Sequence, residues 1–122
     1  MAVVLGLLTA LSLGGCAAGL RQAEPITVRI GQPVYYGSPD GTQFVAQYGS
    51  LSDGSLHFVK VQMPDGHTYT LPQVVSASGV RYTDERELVW WTHQGTVSVE
   101  ARDADGNWET KYSSLREIPG KD

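Results

Sequence analysis

Thr96–Tyr112, TVSVEARDADGNWETKY, reads as two strands joined by a tight turn. Val97, Val99 and Ala101 alternate with Ser98 and Glu100. Successive strand side chains point to opposite faces, so this period sends one set inward and the other to water. Asp103–Asn107 carries an Asp-Gly pair, a strong short-range hairpin signal. Trp108, Thr110 and Tyr112 then resume the two-residue period. No segment after Cys16 shows the helical apolar period.

The same grammar extends in both directions. Toward the C-terminus, Leu115 and Ile118 are expected to plug one end before Pro119. Toward the N-terminus, Leu88 and Trp90 oppose Val89 and Trp91, so one tryptophan belongs to the core and the other to the surface. Asp84, Glu85, Arg86 and Glu87 form a solvated turn. Tyr69 and Leu71 alternate with Thr68 and Thr70, and Pro72 is expected to break that ladder, as suits a strand end or an edge. In Leu56–Met63 the apolar residues change face: Leu56 and Phe58 share one, Val59, Val61 and Met63 the other. Either a bulge near Phe58-Val59 flips the face once, or the strand is buried on both sides. Phe44, Ala46 and Tyr48 alternate cleanly. Val28 and Ile30 share a face, and Pro33–Tyr36 either extends that strand or starts a loop. Ser38-Pro39-Asp40-Gly41, Asp53-Gly54 and Pro64-Asp65-Gly66 punctuate the runs as turns.

Six to eight short strands bounded by turn residues describe an all-β antiparallel barrel or sandwich. A small barrel is filled by its own side chains, which leaves function to a loop or a face. The 122 residues suffice for one domain. With 18% charged residues, a net charge of −4 and no basic cluster, nucleic acid is not the expected partner. A basic protein partner is compatible with that charge.

Cys16 is the single cysteine, so no internal disulfide forms. Ala2–Leu13 is nearly all apolar or small, and Leu13-Gly14-Gly15-Cys16 has the form of a lipobox. Residues 1–15 therefore read as a lipoprotein signal peptide, although no Lys or Arg precedes the apolar run. The run is too short for a transmembrane helix of about 20 residues. Cleavage before Cys16 leaves a lipidated cysteine and a polar tether over residues 16–25. A barrel domain over 26–118 follows, with 119–122 as a tail. Ala17 and Ala18 resemble the residues after the cysteine in lipoproteins sorted to the outer membrane. The expected location is the outer membrane, facing the periplasm.

The most distinctive loop is Ser76–Gly79, small, polar and broken by glycine, with Tyr82 opening the next strand. Ser78-Gly79-x-x-Tyr82, set in LPQVVSASGVRY and followed by a Trp-Trp-Thr strand, resembles the membrane-bound lysozyme inhibitor of C-type lysozyme family. That family carries an SGxxY motif and, after an aromatic pair, a TKG motif. Here the second motif reads Thr92-His93-Gln94, with its Lys and Gly both replaced. The resemblance covers roughly residues 28–101, with Asp65-Gly66-x-x-Tyr69 in the lead-in. It implies an eight-stranded antiparallel β-barrel, preceded by a lipoprotein signal peptide. It also implies a C-type lysozyme as partner, with no cofactor and no enzymatic activity.

On that resemblance, Ser78 sits on a loop that enters the lysozyme cleft and hydrogen-bonds a catalytic carboxylate. A hydroxyl is small, offers one donor and is cheap to desolvate. Gly79 supplies a positive φ or a close approach that aims Ser78 outward. Tyr82 is expected to pack its ring and pin the loop with its hydroxyl. His93 stands where the family has the Lys that reaches the active-site carboxylates. An imidazole is charged only when protonated, so inhibition is expected to be weaker than usual or stronger in mild acid. Arg81 and Arg86 are alternative cations.

Read without the resemblance, Ser78 is a turn serine, His93 a surface residue at a strand end, and the exposed tryptophan either a binding anchor or barrel surface. Asp84, Glu85 and Glu87 are a solvated tip, or a steering rim if the loop docks on a basic protein. No G-x-S-x-G elbow accompanies Ser78. His57, His67 and His93 match no zinc pattern, though two could meet across the Leu56–Thr70 hairpin, and no metal is expected. The alternative function is a structural or assembly lipoprotein that binds another envelope protein, lysozyme inhibition having been lost with the Lys. An enzyme acting on cell-wall glycan would need a carboxyl pair in a groove.

Overall fold

The computed structural model describes residues 24–120. The expected signal peptide and Cys16 lie outside the described residues. Nine strands follow one another: β1 (Val28–Ile30), β2 (Val34–Gly37), β3 (Gln43–Leu51), β4 (His57–Gln62), β5 (Thr68–Val74), β6 (Val80–Thr83), β7 (Leu88–His93), β8 (Thr96–Arg102) and β9 (Trp108–Ile118). They pair in the order β1-β3-β2-β9-β8-β7-β6-β5-β4, and a further β3–β4 pairing closes the sheet. Every pairing is antiparallel.

β1 and β2 share one edge of β3. Val28 pairs with Leu51 and Val34 with Ala46, so the register slips by one residue across Gly31–Pro33. The Gly31 N–H still donates to the Tyr48 carbonyl, at 2.8 Å. The two strands act as one interrupted stave, and the barrel has the eight staves expected from the sequence. Pro33–Tyr36 thus extends the first strand, after a break.

Alternation places the core as the sequence predicts. Phe44, Ala46, Leu71, Leu88, Trp90, Val97 and Val99 point inward and are buried. Each fully buried Val or Leu contributes about 1.5–3 kcal/mol relative to exposure. Trp90, with no exposed surface, stands at the centre, edge-on to Tyr36 at 5.4 Å and tilted against Phe44 at 6.0 Å. Its indole N–H donates to the Tyr48 hydroxyl at 3.1 Å, and the Tyr36 and Tyr48 hydroxyls are 2.8 Å apart. Among the described residues, no buried side-chain nitrogen or oxygen lacks a partner.

Three local expectations resolve differently or more narrowly than the sequence implied. β4 carries no bulge: its register with β3 and β5 is continuous from Phe58 to Gln62. Instead both faces are buried. Val59 and Val61 face the core, while Phe58 lies on the outer wall across Gly49, where an added Cβ would come within 2.5 Å of its ring. Pro72 does not end its strand. It pairs with Phe58, and β5 runs on to Val74 by changing partner from β4 to β6 at Gln73. A proline is tolerated there because the neighbour changes at that point. Leu115 is not an end plug either. It pairs with Val97 inside the barrel wall, and β9 reaches Ile118 without a break. Register shifts around Val99 give β9 extra residues near Ser113-Ser114 and bend it from β8 toward β2.

Burial pushes the phenols of Tyr36, Tyr48 and Tyr82 above their ordinary value, Tyr48 most strongly. A phenol that holds its proton more tightly when folded contributes stability that is complete below its unfolded value of about 10 and is lost as pH rises through the folded value. Thermal melts are therefore expected to be flat up to about pH 10 and to fall beyond it. Tyr48→Phe should lose about 1–3 kcal/mol at neutral pH, because the Trp90 N–H loses its acceptor, yet show a shallower alkaline decline.

Candidate functional site

Antiparallel order sorts the connections between the two ends of the barrel. The turns around Asp40, Asp65, Asp84–Glu87 and Asp103–Gly106 fall at one end. The turns at 52–56, 75–79 and 94–95 fall at the other, and the candidate residues lie there.

Two of these connections become one structure. Val80 pairs with Thr92, which sets the Ser76–Gly79 loop beside the β7–β8 turn. His93 pairs with Thr96, leaving Gln94 and Gly95 as a two-residue turn with φ of 50° and 78°. Both values are positive, the type I′ geometry that matches strand twist. The Thr96 hydroxyl donates to the His93 carbonyl at 2.9 Å. Gly79 has φ of 65° and lies so close to this turn that an added Cβ would sit 2.2 Å from the Thr92 carbonyl oxygen. Only glycine satisfies both the left-handed backbone and the contact.

The loop is pinned from outside the barrel. The Trp91 indole N–H donates to the Ser78 carbonyl at 2.9 Å, and the Ser76 hydroxyl donates to the same oxygen. Ser76 is consequently half-buried, while Ser78 and His93 are exposed. The Ser78 hydroxyl makes no hydrogen bond among the described residues, so it is held at the tip by its backbone and remains free to donate. No base lies within its hydrogen-bond reach among those residues, so it is not arranged as a nucleophile. The groove beside it is lined by Trp91, His93, Thr96, Ser98 and Ser113. It can offer hydroxyl groups, an imidazole and an aromatic edge to a polar partner.

Ser78, Gly79, Thr92 and His93 are thus brought together as the sequence implied, but Tyr82 is not. Its ring is buried inside the barrel, 5.8 Å from that of Tyr48, and its hydroxyl makes no bond to the loop among the described residues. Strand parity explains this: Tyr82 is paired with Trp90 and shares its inward face, whereas Trp91 faces out beneath the loop. The available signal for Trp91 was the Trp-Trp pair, which requires one indole to find a partner at the surface.

Among the alternative cations, Arg81 lies 5.8 Å from the Trp91 ring centre and 3.4 Å from Glu85. Glu85 is well exposed and Arg81 half-buried, so the pair is partly screened by water and adds little to stability. Arg86 belongs to the far-end turn. That turn is built by the Asp84 carboxylate, which accepts from the N–H groups of Arg86, Glu87 and Leu88. Asp84, Glu85 and Glu87 therefore do not rim the Ser78 loop. His57 opens β4 and His67 lies in the turn at the other end of that strand, so the hairpin does not join them. The described residues contain no group of three His, Cys, Asp or Glu placed to hold a metal ion.

A family model described as membrane-bound lysozyme-inhibitor of c-type lysozyme, MliC, matches residues 36–108. The fold is similar to that of Pseudomonas aeruginosa MliC, solved in complex with hen egg white lysozyme. The two share 24% identity, the match covers 81% of this chain and 92% of that one, and the TM-score is 0.55. No curated protein matches the chain.

Gly79→Ala is expected to cost about 1–3 kcal/mol in denaturant unfolding, because the backbone must leave the left-handed region and retreat from Thr92. Trp91→Phe should leave the barrel folded but speed amide exchange at Ser76–Gly79. Gln94→Asn, which suits the first position of a type I′ turn, should raise the melting temperature.

Proposed function

The chain belongs to the MliC family of membrane-bound lysozyme inhibitors of c-type lysozyme, and from that premise we propose that it inhibits a C-type lysozyme by inserting the Ser78 loop into the enzyme's active-site cleft. The observation that carries this reading is the single protrusion made by two connections. Gly79 seated on the Thr92 carbonyl and Trp91 bonded to the Ser78 carbonyl give a free hydroxyl on a preorganised support. Preorganisation limits the ordering cost of binding. C-type lysozyme works through two carboxyl groups. The Ser78 hydroxyl donates to one of them, Thr92 and His93 approach the other, and the barrel end closes the cleft to glycan. The mechanism is steric occlusion and polar capture, with no cofactor and no turnover.

The lipobox supports anchoring through lipid on Cys16, with the barrel domain 26–118 at the outer membrane and facing the periplasm. One feature favours a second reading. His93 and Gln94 replace the Lys and Gly of the family's second motif, so the cation that pairs with carboxylate is conditional on protonation. In that reading the barrel is an assembly lipoprotein whose partner is another envelope protein.

The test is lysis of lysozyme-sensitive cells by a C-type lysozyme in the presence of the protein. The wild type should slow lysis, and Ser78→Ala should weaken inhibition about tenfold or more, the loss of one hydrogen bond to a charged group. His93→Lys should strengthen it. An inert wild type alongside an inhibitory His93→Lys variant would assign the chain to the second reading.

A further inference from the structure

Exposed large apolar side chains among the described residues are Ile26, Val28, Ile30, Leu56 and Val75, and all five gather on one wall at one end of the barrel. Scattered apolar residues on a surface need no explanation, but a contiguous patch does. Val28 pairs with Leu51, and the Leu51 N–H donates to the Leu56 carbonyl at 3.0 Å. Leu56 and Val75 flank one depression. The row crosses β1, β3, β4 and β5, about 15 Å at about 4.8 Å per strand. Val75 is fully exposed and Val28 60% exposed, so no described residue covers the patch.

Its place in the chain identifies the occupant. Ile26 stands ten positions after Cys16, so even a fully extended connection reaches no further than about 35 Å from the thiol. The patch is the first part of the barrel that an anchored chain would bring to a bilayer. Charge agrees with this. Asp40, Asp65, Asp84, Glu85, Glu87, Asp103 and Asp105 lie in the turns at the opposite end, while Lys60 shares the outward face of β4 with Phe58. Glu24 and Asp53 are the carboxylates beside it.

The geometry points to a membrane-docking face: the β1–β3–β4–β5 wall rests on the lipid leaflet through Val28, Ile30, Leu56 and Val75. This deepens the anchoring reading and rests on it. The consequence is orientation. Three staves separate β4 from β8 in either direction around the closed barrel, so the docking wall is centred opposite the β7–β8 hairpin. A barrel seated on lipid in this way turns Thr92 and His93 away from the membrane, toward the compartment from which a soluble enzyme arrives.

The test uses the full chain, acylated at Cys16, in vesicles of phosphatidylethanolamine and phosphatidylglycerol. Acylation consumes the native thiol, so the single substitutions Val28→Cys, Leu56→Cys, Val75→Cys and, on the opposite wall, Ser98→Cys can each carry one environment-sensitive fluorophore. The expected result is a blue-shifted emission, quenched by nitroxide-bearing lipid, at positions 28, 56 and 75 but not at 98. Equal, water-like emission at all four positions would overturn the docking face. A blue shift at 28 and 56 that appears without vesicles and grows with protein concentration would also overturn it, in favour of a second copy of the chain. Intact mass reads Cys16 acylation separately. If the thiol is free, the anchoring reading fails, and the same positions are labelled in a Cys16→Ser background, so that each chain carries one fluorophore, and mixed with the same vesicles. A shift at positions 28, 56 and 75 on mixing then sustains the docking face, and its absence overturns it.

Discussion

Trp90 donating to the Tyr48 hydroxyl, at the centre of a closed eight-stave barrel, is the interaction on which the rest depends. Trp90 is the largest fully buried side chain among the described residues, and an indole is buried without penalty only if its N–H finds an acceptor. Tyr48 supplies that acceptor from β3, on the other side of the barrel, and its hydroxyl is bonded in turn to Tyr36 on β2. Non-neighbouring staves are thereby tied through the interior as well as along their edges. The network is fully satisfied, so the polar atoms fix one packing instead of penalising it.

Once the interior is solid, the working surface is confined to the ends and walls. Antiparallel connection then does the sorting. The carboxylate-built turns fall at one end, where each Asp accepts N–H groups from its own turn, as Asp84 and Asp103 do. The other end carries one such turn, where Asp53 accepts from the Ser55 N–H and hydroxyl, together with the neutral connections at 75–79 and 94–95. The Ser76–Gly79 loop is held through its backbone by the Ser76 hydroxyl, by Gly79 and by Trp91. That division leaves the Ser78 hydroxyl uncommitted. The exposed apolar wall lies at the same end, across the barrel from the β7–β8 turn, and meets the Ser76–Gly79 loop only at Val75, three residues before Ser78.

Much of this was legible in the residues. Alternation at Val97, Val99 and Ala101 and the Asp-Gly turns located strands and hairpins, because a half-buried strand and a left-handed turn position each demand particular side chains. Phe58-Val59 was ambiguous, since a two-sided burial and a bulge write the same apolar run. Only the space above Gly49, where the Phe58 ring lies, separates them. Pro72 misled for a related reason: a proline breaks a ladder only if its missing N–H was wanted, and that depends on which neighbour lies alongside. Leu115 looked like a plug because the extra residues near Ser113-Ser114 hide the strand period.

The sequence by itself determined the fold class, the turns, and the set of small and polar residues that meet at one end, because period and turn chemistry are local properties. It also determined that Trp90 and Trp91 must part company. The tertiary structure decided which partner each of them found. Tyr82 turned inward with Trp90, Trp91 took the loop carbonyl, and the exposed apolar residues of distant segments came together on one wall. Those outcomes depend on register and closure, which are set by the packing of all eight staves at once and are written in no single stretch of the chain.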